Sequence, residues 1–345
     1  MDIKERISAF TQLGSQILAN NKTPEAHEFW DEIGEAHIKN PWFTPEFCEY
    51  AIKSIAKHWL TEQSLNQWVQ VYPASAFNPK NQKKIGIVMA GNVPFVGFHD
   101  ILSILIAGHK LVAKISSKDA GVTQSLVKLI LTIEPRFISS ITITENRLED
   151  FDAIIATGSD NTSRYFDYYF GKYPNIIRKN RHSIAILSGN ETAEQFKALA
   201  NDIFTYFGLG CRNVSKILVP ENYDFTPLID EFLVFKEFIN HHKYANNYEY
   251  YRAIFLMNQV EHLDSGFALL KPDEALGSPV GVIYYQHYAN LNDANEYIYQ
   301  HREQLQCVVS SDISIQNSID FGQAQNPQLT DYADGIDTIK FLADL

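Results

Sequence analysis

The chain has little sulfur: three cysteines and three methionines in 345 residues. Cys48, Cys211 and Cys307 are spaced neither as a paired disulfide framework nor as a metal-ligating set. That excludes a small disulfide-stapled scaffold and points to a reducing cytoplasm. His241-His242 and the other histidines also lack metal-site spacing, so no metal is expected. Basic residues are in deficit, with Lys+Arg 29 against Asp+Glu 41 and a formal net charge of −12. So acidic a chain offers no general surface for nucleic acid or anionic membrane, though a local basic pocket for phosphates stays open. The longest apolar run, Ile101 to Gly108, is far too short to span a bilayer and reads as a buried helix segment. Met1 to Arg6 is mixed in charge and lacks the apolar core of a signal peptide. No internal repeat, no low-complexity segment and no Gly-x-Gly-x-x-Gly fingerprint occurs.

What is present is the composition of a folded protein, 45% hydrophobic and 20% charged, with length enough for two domains. The first eighty or so residues read as helical. Ile3, Ile7, Phe10, Leu13 and Ile17 share one helical face. Thr23-Pro24-Glu25 and Thr44-Pro45-Glu46 each set a capping hydroxyl before a proline at the first helical position. Trp68 to Tyr72 alternates and is expected as a strand.

From Lys84 the pattern becomes strand, helix, strand. Strands are expected at 85–89, 110–115, 141–143 and 153–156, with helices at 98–107, 121–131 and 161–169. This alternation predicts an α/β fold with a mainly parallel sheet. Ligands of such sheets bind beyond the carboxyl ends of the strands, here at Ala90–Pro94, Ser116–Lys118 and Thr157–Asp160. A second block begins near Asn180, with a strand at 184–187, a helix from Thr192 to Phe207 and a strand at 214–219 stopped by Pro220. The last residues include Asp337 to Leu342, expected as a terminal strand.

Cys211 lies between that helix and that strand, in Gly208-Leu209-Gly210-Cys211-Arg212-Asn213. Gly208 and Gly210 are expected to end the helix. A cysteine in such a corner can face a cleft, and Arg212 or Lys216 would favour its thiolate. The competing reading is a small buried residue. Asn92, in Gly91-Asn92-Val93-Pro94, would offer an amide to an oxyanion or be a turn asparagine. Lys114 ends a strand, where it would bind a ribose hydroxyl or phosphate or simply reach solvent. Gly158-Ser159 sits between strand and helix, where helix N–H groups can meet a phosphate, or is only a turn. Glu274 would hold a ribose or be a solvated loop charge. The cluster Tyr165, Phe166, Tyr168, Tyr169, Phe170 and Tyr173 would line an apolar acyl channel or pack in a core.

Taken in order, these pieces resemble the aldehyde dehydrogenase superfamily, and within it the acyl-CoA reductases of the luminescence (LuxC) type. Ile85 to Asp119 resembles the superfamily's strand–asparagine–proline–helix–strand–lysine pattern. Ala156 to Ser159 resembles its cofactor turn, Phe207 to Val219 its nucleophile segment, and Glu274 to Val280 its ribose-binding glutamate segment. Asn40 to Glu46 resembles the acyl-CoA reductase branch in particular. The resemblance implies two Rossmann-like α/β domains, with a helical N-terminal region and cofactor domain over 1–180 and a catalytic domain over 181–325. It implies a C-terminal oligomerisation strand within 326–345, and hence a homo-oligomer, a dimer favoured. It implies Cys211 as nucleophile and Asn92 as oxyanion donor. Lys114, Ser116, Ser117, Gly158, Ser159 and Glu274 would bind the cofactor, and Phe207, Phe321 and Arg178 would lie near the substrate.

The chain departs from the hydrolytic pattern in two places. Arg178 stands where hydrolytic members keep a glutamate base, and a base is needed to activate water against an acyl-enzyme. Ser116-Ser117-Lys118 stands where NAD-selective members carry an acid, which would repel a 2′-phosphate. The chain is also shorter than typical members. The expected function is NADPH-dependent reduction of an acyl-CoA or acyl carrier protein thioester to an aldehyde, with NADH the other cofactor. The alternatives are reduction of an acyl phosphate, or a binding or assembly protein that kept only the fold.

Overall fold

The computed structural model describes residues 1–19, 23–158 and 160–345, and divides them into two compact units. Unit 1 comprises 1–180 and 328–345, and unit 2 comprises 181–327.

Unit 1 opens with helices α1 (Ile3–Leu18), α2 (Pro24–Gly34), α3 (Ala36–Lys39), α4 (Pro45–His58) and α5 (Glu62–Gln70). Their starts follow from capping chemistry. Asp2 and Glu5 form a reciprocal capping box on α1, and the Thr23 and Thr44 hydroxyls accept N–H groups of α2 and α4 ahead of their prolines. Then come β1 (Lys84–Val88), α6 (Phe98–Ala107), β2 (Lys110–Lys114), α7 (Val122–Ile133), β3 (Ile141–Thr144), β4 (Ala153–Thr157), α8 (Asp160–Phe170) and β5 (Asn175–Arg178). All five strands are parallel, in the order β3-β2-β1-β4-β5. The order reverses direction beside β1, which is where parallel sheets open a crevice at the carboxyl ends. α6 is buried on nearly every side and stops at Gly108, whose φ of 87° a side chain would resist.

Unit 2 contains β6 (His182–Ile186), α9 (Ala193–Phe204), β7 (Val214–Pro220), α10 (Thr226–Phe232), α11 (His242–Met257), β8 (Leu263–Asp264), β9 (Leu269–Pro272), β10 (Val282–Tyr288), α12 (Leu291–His301) and β11 (Leu305–Val309). Its sheet runs β11-β6-β7-β10-β9-β8, parallel except for β8 against β9. The chain then returns to unit 1 with α13 (Thr338–Ala343).

Three local expectations are corrected. Trp68 to Tyr72 is not a strand: Thr61 caps α5 through the Ser64 N–H, and Leu65 and Trp68 are buried three residues apart on one helical face. The Trp68 indole N–H donates to the Tyr332 hydroxyl at 2.7 Å. Asp337 to Leu342 is not an oligomerisation strand either. The Asp337 carboxylate caps a helix through the Lys340 N–H, and Thr338, Ile339 and Leu342 are buried at helical spacing. Finally, α9 ends at Phe204, not Phe207, for reasons given below.

Gly14 lies mid-helix in α1, where alanine would ordinarily gain about 1 kcal/mol. Here an added Cβ would sit 2.7 Å from both the Cβ and the carbonyl oxygen of Leu60. Overpacking of that kind costs roughly 1–3 kcal/mol. Gly14→Ala is therefore expected to lower the thermal midpoint by a few degrees. A rise would mean that α1 does not need this close approach.

Candidate active site

In unit 2 the residues around Cys211 are held by side chains rather than by regular structure. After α9, Tyr206 (φ 55°, ψ 31°) and Phe207 (φ 57°, ψ 23°) are both left-handed, followed by Gly208 at φ 75°. Each non-glycine residue there costs about 1–2 kcal/mol. Burial offsets the cost: the Phe207 ring packs against Phe238 and His241, with centroids 4.6 and 4.5 Å away. The Asn213 side chain does the rest. Its amide N–H₂ lies 3.1, 3.2 and 2.8 Å from the carbonyls of Asp202, Ile203 and Thr205, and its oxygen accepts the Gly210 N–H at 2.8 Å. The helix end is thereby closed without continuing, and Cys211 is exposed at the apex.

Two further anchors reach this corner. The Ser183 hydroxyl on β6 donates to the Cys211 carbonyl at 2.9 Å and lies 3.0 Å from the Cys307 sulfur. The Asp202 carboxylate accepts the N–H groups of Gly322 and Ala324 at 2.6 and 2.9 Å, and Arg212 donates to the Ala324 carbonyl. Phe321 is thus fixed beside the Cys211 segment, with its side chain buried. Burial pushes the Asp202 carboxyl up to about 7, against the two N–H groups and Arg212.

Glu274 is tied to β7. The fully buried Lys216 ammonium donates to the Glu274 carbonyl at 2.9 Å and to Gln286 at 2.7 Å, and Ser215 donates to the Leu276 carbonyl at 2.8 Å. Burial lowers Lys216 to about 8, opposed by Asp273 and Glu274. The Glu274 side chain itself is exposed. Cys211, Phe207, Phe321 and Glu274 are therefore all pinned to the segment that runs into β7. Lys216 and Arg212, weighed above as neighbours of the thiolate, hold backbone carbonyls.

In unit 1 the expected residues lie in the loops at the carboxyl ends of the strands. Asn92 is exposed just beyond β1, and Lys114 ends β2, donating to the Glu145 carbonyl at 2.8 Å. The loops after β1 and β2 touch: a Cβ on Gly91 would lie 2.7 Å from the Ser116 hydroxyl. The Ser116 hydroxyl accepts the Lys118 N–H, and Ser117 is exposed. Asn40, in the Asn40–Glu46 segment, donates to the Lys118 carbonyl at 2.8 Å and so holds that loop. Asp119, the nearest acid, is buried and caps α7 through the Thr123 N–H and hydroxyl. Gly158 follows β4, and a Cβ there would meet the Phe166 ring at 2.9 Å. Ser159 lies outside the described residues.

Arg178 does not point to a substrate. Its guanidinium is buried and forms a two-pronged ion pair with Asp100 on α6, at 2.6 and 2.8 Å, with Thr338 at 3.3 Å. Breaking such a pair strands a buried charge, so the residue serves the fold. Cys48 is also inert: it is fully buried, and burial pushes its thiol up to about 12. Among the described residues no cluster of metal-ligating side chains occurs, and no helix is long and apolar enough to cross a membrane.

Residues 51–233 match the acyl-CoA reductase (LuxC) family, more than half of the chain and including the whole Cys211 corner. The chain belongs to the LuxC family. No curated protein matches it. Among solved structures it is similar to aldehyde dehydrogenase 21 from Physcomitrella patens, solved with succinate as the reaction product. There the identity is 12%, the TM-score 0.70, and the match covers 100% of this chain and 84% of that one. It is also similar to a propionaldehyde dehydrogenase from a fucose-utilisation microcompartment of Clostridium phytofermentans, at 8% identity and TM-score 0.61, covering 94% and 82% of the two chains. A third is an aldehyde dehydrogenase from Mycobacterium tuberculosis complexed with NAD+, at 14% identity and TM-score 0.62, covering 91% and 74%. At such identities the likeness establishes the aldehyde dehydrogenase fold.

Within this LuxC chain, three residues that shape the corner were not singled out from the sequence: Asn213, Asp202 and Ser183. Only Asn213 carries a local signal, an amide after a glycine-flanked turn and before a strand. Asn213→Ala removes the carboxamide that meets these carbonyls and is expected to cost at least about 2 kcal/mol in urea unfolding; an unchanged midpoint would overturn the role given to it. Asp202 has a pH signature. Its folded-state value of about 7 lies above the usual carboxylate range. Its stabilising contribution is therefore present in acid and is lost as pH rises toward neutrality. Asp202→Asn should flatten that part of the fall in stability between about pH 4 and about pH 7. A slope equal to that of the parent protein would place the carboxyl in water.

Proposed function

We propose that the protein is an acyl-CoA reductase that converts an acyl thioester to an aldehyde through a thioester on Cys211, using a reduced nicotinamide. The observation that carries this reading is the exposure of Cys211 on a strained, side-chain-pinned corner of a LuxC-family chain. The Cys211 thiolate attacks the carbonyl carbon of an acyl-CoA or acyl carrier protein thioester. The bond from carbon to the donor sulfur breaks, the donor leaves as its thiolate, and an acyl-enzyme remains. Asn92 is proposed to donate its amide to the carbonyl oxygen as negative charge develops there. A reduced nicotinamide, when bound, supplies the hydride that turns this thioester into a hemithioacetal, whose collapse releases the aldehyde and the Cys211 thiolate.

Unit 1 is proposed to hold that cofactor through Lys114, Ser116, Ser117 and Gly158, and Glu274 of unit 2 to hold its nicotinamide ribose. The chain suits the group: glycines stand at the turns beyond β1 and β4 where a Cβ would crowd the loops. Asp119, the first acid along the chain after Lys114, is turned inward to cap α7, which favours NADPH over NADH. Arg178, spent on Asp100, leaves no base at the glutamate's place, which favours release as aldehyde over hydrolysis to acid. A reducing cytoplasm is the proposed setting. A homo-oligomer is also proposed, though residues 338–343, expected as its strand, are helical.

Radiolabelled acyl-CoA is expected to label the parent protein and not Cys211→Ala, which should have no reductase activity. Asn92→Ala should lower turnover by about a hundredfold. Label retained by Cys211→Ala would remove the nucleophile assignment. NADPH oxidation with acyl phosphate but not acyl-CoA would make the protein an acyl-phosphate reductase instead.

A further inference from the structure

We propose that Cys307 is a resolving thiol for Cys211: when a hydroperoxide oxidises Cys211, Cys307 captures the product as a disulfide, which closes the corner reversibly. The placement follows from the sheet of unit 2. β6 lies between β11 and β7, and Ser183 pairs with Cys307 on one side and Val214 on the other. The register between β11 and β6 slips there. Leu305 lies opposite His182 and Cys307 opposite Ser183, so Gln306 is an extra residue. Bulges are rare between parallel strands, and they re-aim side chains. Here the Cys307 sulfur is laid against Ser183 and the turn before β7.

One hydroxyl joins the two cysteines. The fully buried Ser183 hydroxyl lies 2.9 Å from the Cys211 carbonyl oxygen and 3.0 Å from the Cys307 sulfur, and it accepts the Cys307 N–H at 3.2 Å. The Cys307 sulfur also lies 4.0 Å from the Arg212 carbonyl oxygen. A hydroxyl has one hydrogen and two lone pairs. The Ser183 hydrogen goes to the Cys211 carbonyl, which can only accept. Both oxygens nearest the Cys307 sulfur therefore act as acceptors toward it, which keeps Cys307 a protonated thiol at rest. Cys211 is exposed and Cys307 half-buried, so a peroxide meets Cys211 first. Cys48, the third cysteine, is fully buried in unit 1 and cannot serve.

The Cys211 thiolate attacks one oxygen of the hydroperoxide, the O–O bond breaks, the other oxygen leaves as an alcohol after taking a proton, and Cys211 becomes a sulfenic acid. The Cys307 thiol then attacks the Cys211 sulfur. Its proton leaves with the hydroxyl as water, and an S–S bond replaces the S–O bond. Two thiols and one hydroperoxide thus give one disulfide, one alcohol and one water. The step needs the exposed Cys211 side chain to turn toward β11, where the Ser183 hydroxyl gives up a hydrogen bond. Without a second thiol, further peroxide takes the sulfenic acid to sulfinic acid, which added thiols do not reverse.

The test is thiol titration under denaturing conditions, with peptide mapping, after the full chain has met excess hydrogen peroxide. Titratable thiols are expected to fall from three to one in the parent, with Cys211 and Cys307 joined and two hydrogens lighter, and dithiothreitol should restore all three. Cys307→Ser keeps a donor beside Ser183 and should fall from two thiols to one, its Cys211 ending as sulfinic acid that dithiothreitol does not restore. The proposal is overturned if the parent also loses Cys211 irreversibly, if Cys211 pairs with Cys48 or with a second chain, or if parent and variant recover equally. Peptide mapping of the parent decides the matter even where Cys307→Ser fails to fold. No step uses an acyl donor or a nicotinamide. A chain that forms this disulfide but takes no acyl label would lose the proposed reductase function and keep the thiol pair, and the reverse result would do the opposite.

Discussion

Three carbonyl oxygens at the end of α9 share one carboxamide, that of Asn213, and the conformation of the Cys211 segment depends on it. A helix that stops must satisfy its last carbonyls. Here it does so with a residue from beyond the turn, which draws the chain back and forces Tyr206 and Phe207 into left-handed backbone. The strain is tolerated because the Phe207 ring is held in an aromatic cluster with Phe238, His241 and Tyr244. Cys211 is exposed as a result, although its neighbours on both sides of the turn are buried.

The buried charges of the protein follow a common logic. Arg178 with Asp100, Asp119, Asp202 and Lys216 are all buried, and most of them take hold of backbone groups in loops that leave the sheets. An apolar residue of similar volume would often be as stable or more so. What the charge adds is direction, since a buried carboxylate or ammonium tolerates few arrangements of its partners. Asp202 sets where Phe321 lies, and Lys216 sets where the Glu274 segment lies. These groups trade stability for the placement of loops.

The sheet of unit 1 shows the opposite economy. Its α6 and α7 face is packed by an almost wholly apolar helix and its partner, while the other face has α8 and an irregular crossover. Shortening a crossover keeps the strand order but removes the side chains that a helix would have laid on the sheet. The exposed tyrosines of α8, Tyr165, Tyr168 and Tyr169, border this face, whereas Phe166 and Phe170 turn inward onto it. The one aromatic run therefore serves both as packing and as the wall of an opening.

The alternation of strands and helices from Lys84 onward, the parallel sheet, the loops at its carboxyl ends and the corner that holds Cys211 are legible in the residues alone. Those features depend on local periodicity, capping residues and glycines, which act over a few residues and can be read along the chain. Tertiary structure alone decided the rest. Trp68 to Tyr72 alternates like a strand, yet it forms the end of α5 and the turn after it, with Trp68 held against Tyr332, far along the chain. Asp337 to Leu342 became helix because its apolar residues find α6 and not a neighbouring strand. Arg178 looked free to meet a substrate until Asp100 appeared opposite it. Asp202 and Ser183 were silent because a hydrogen bond between distant residues leaves no period in the sequence.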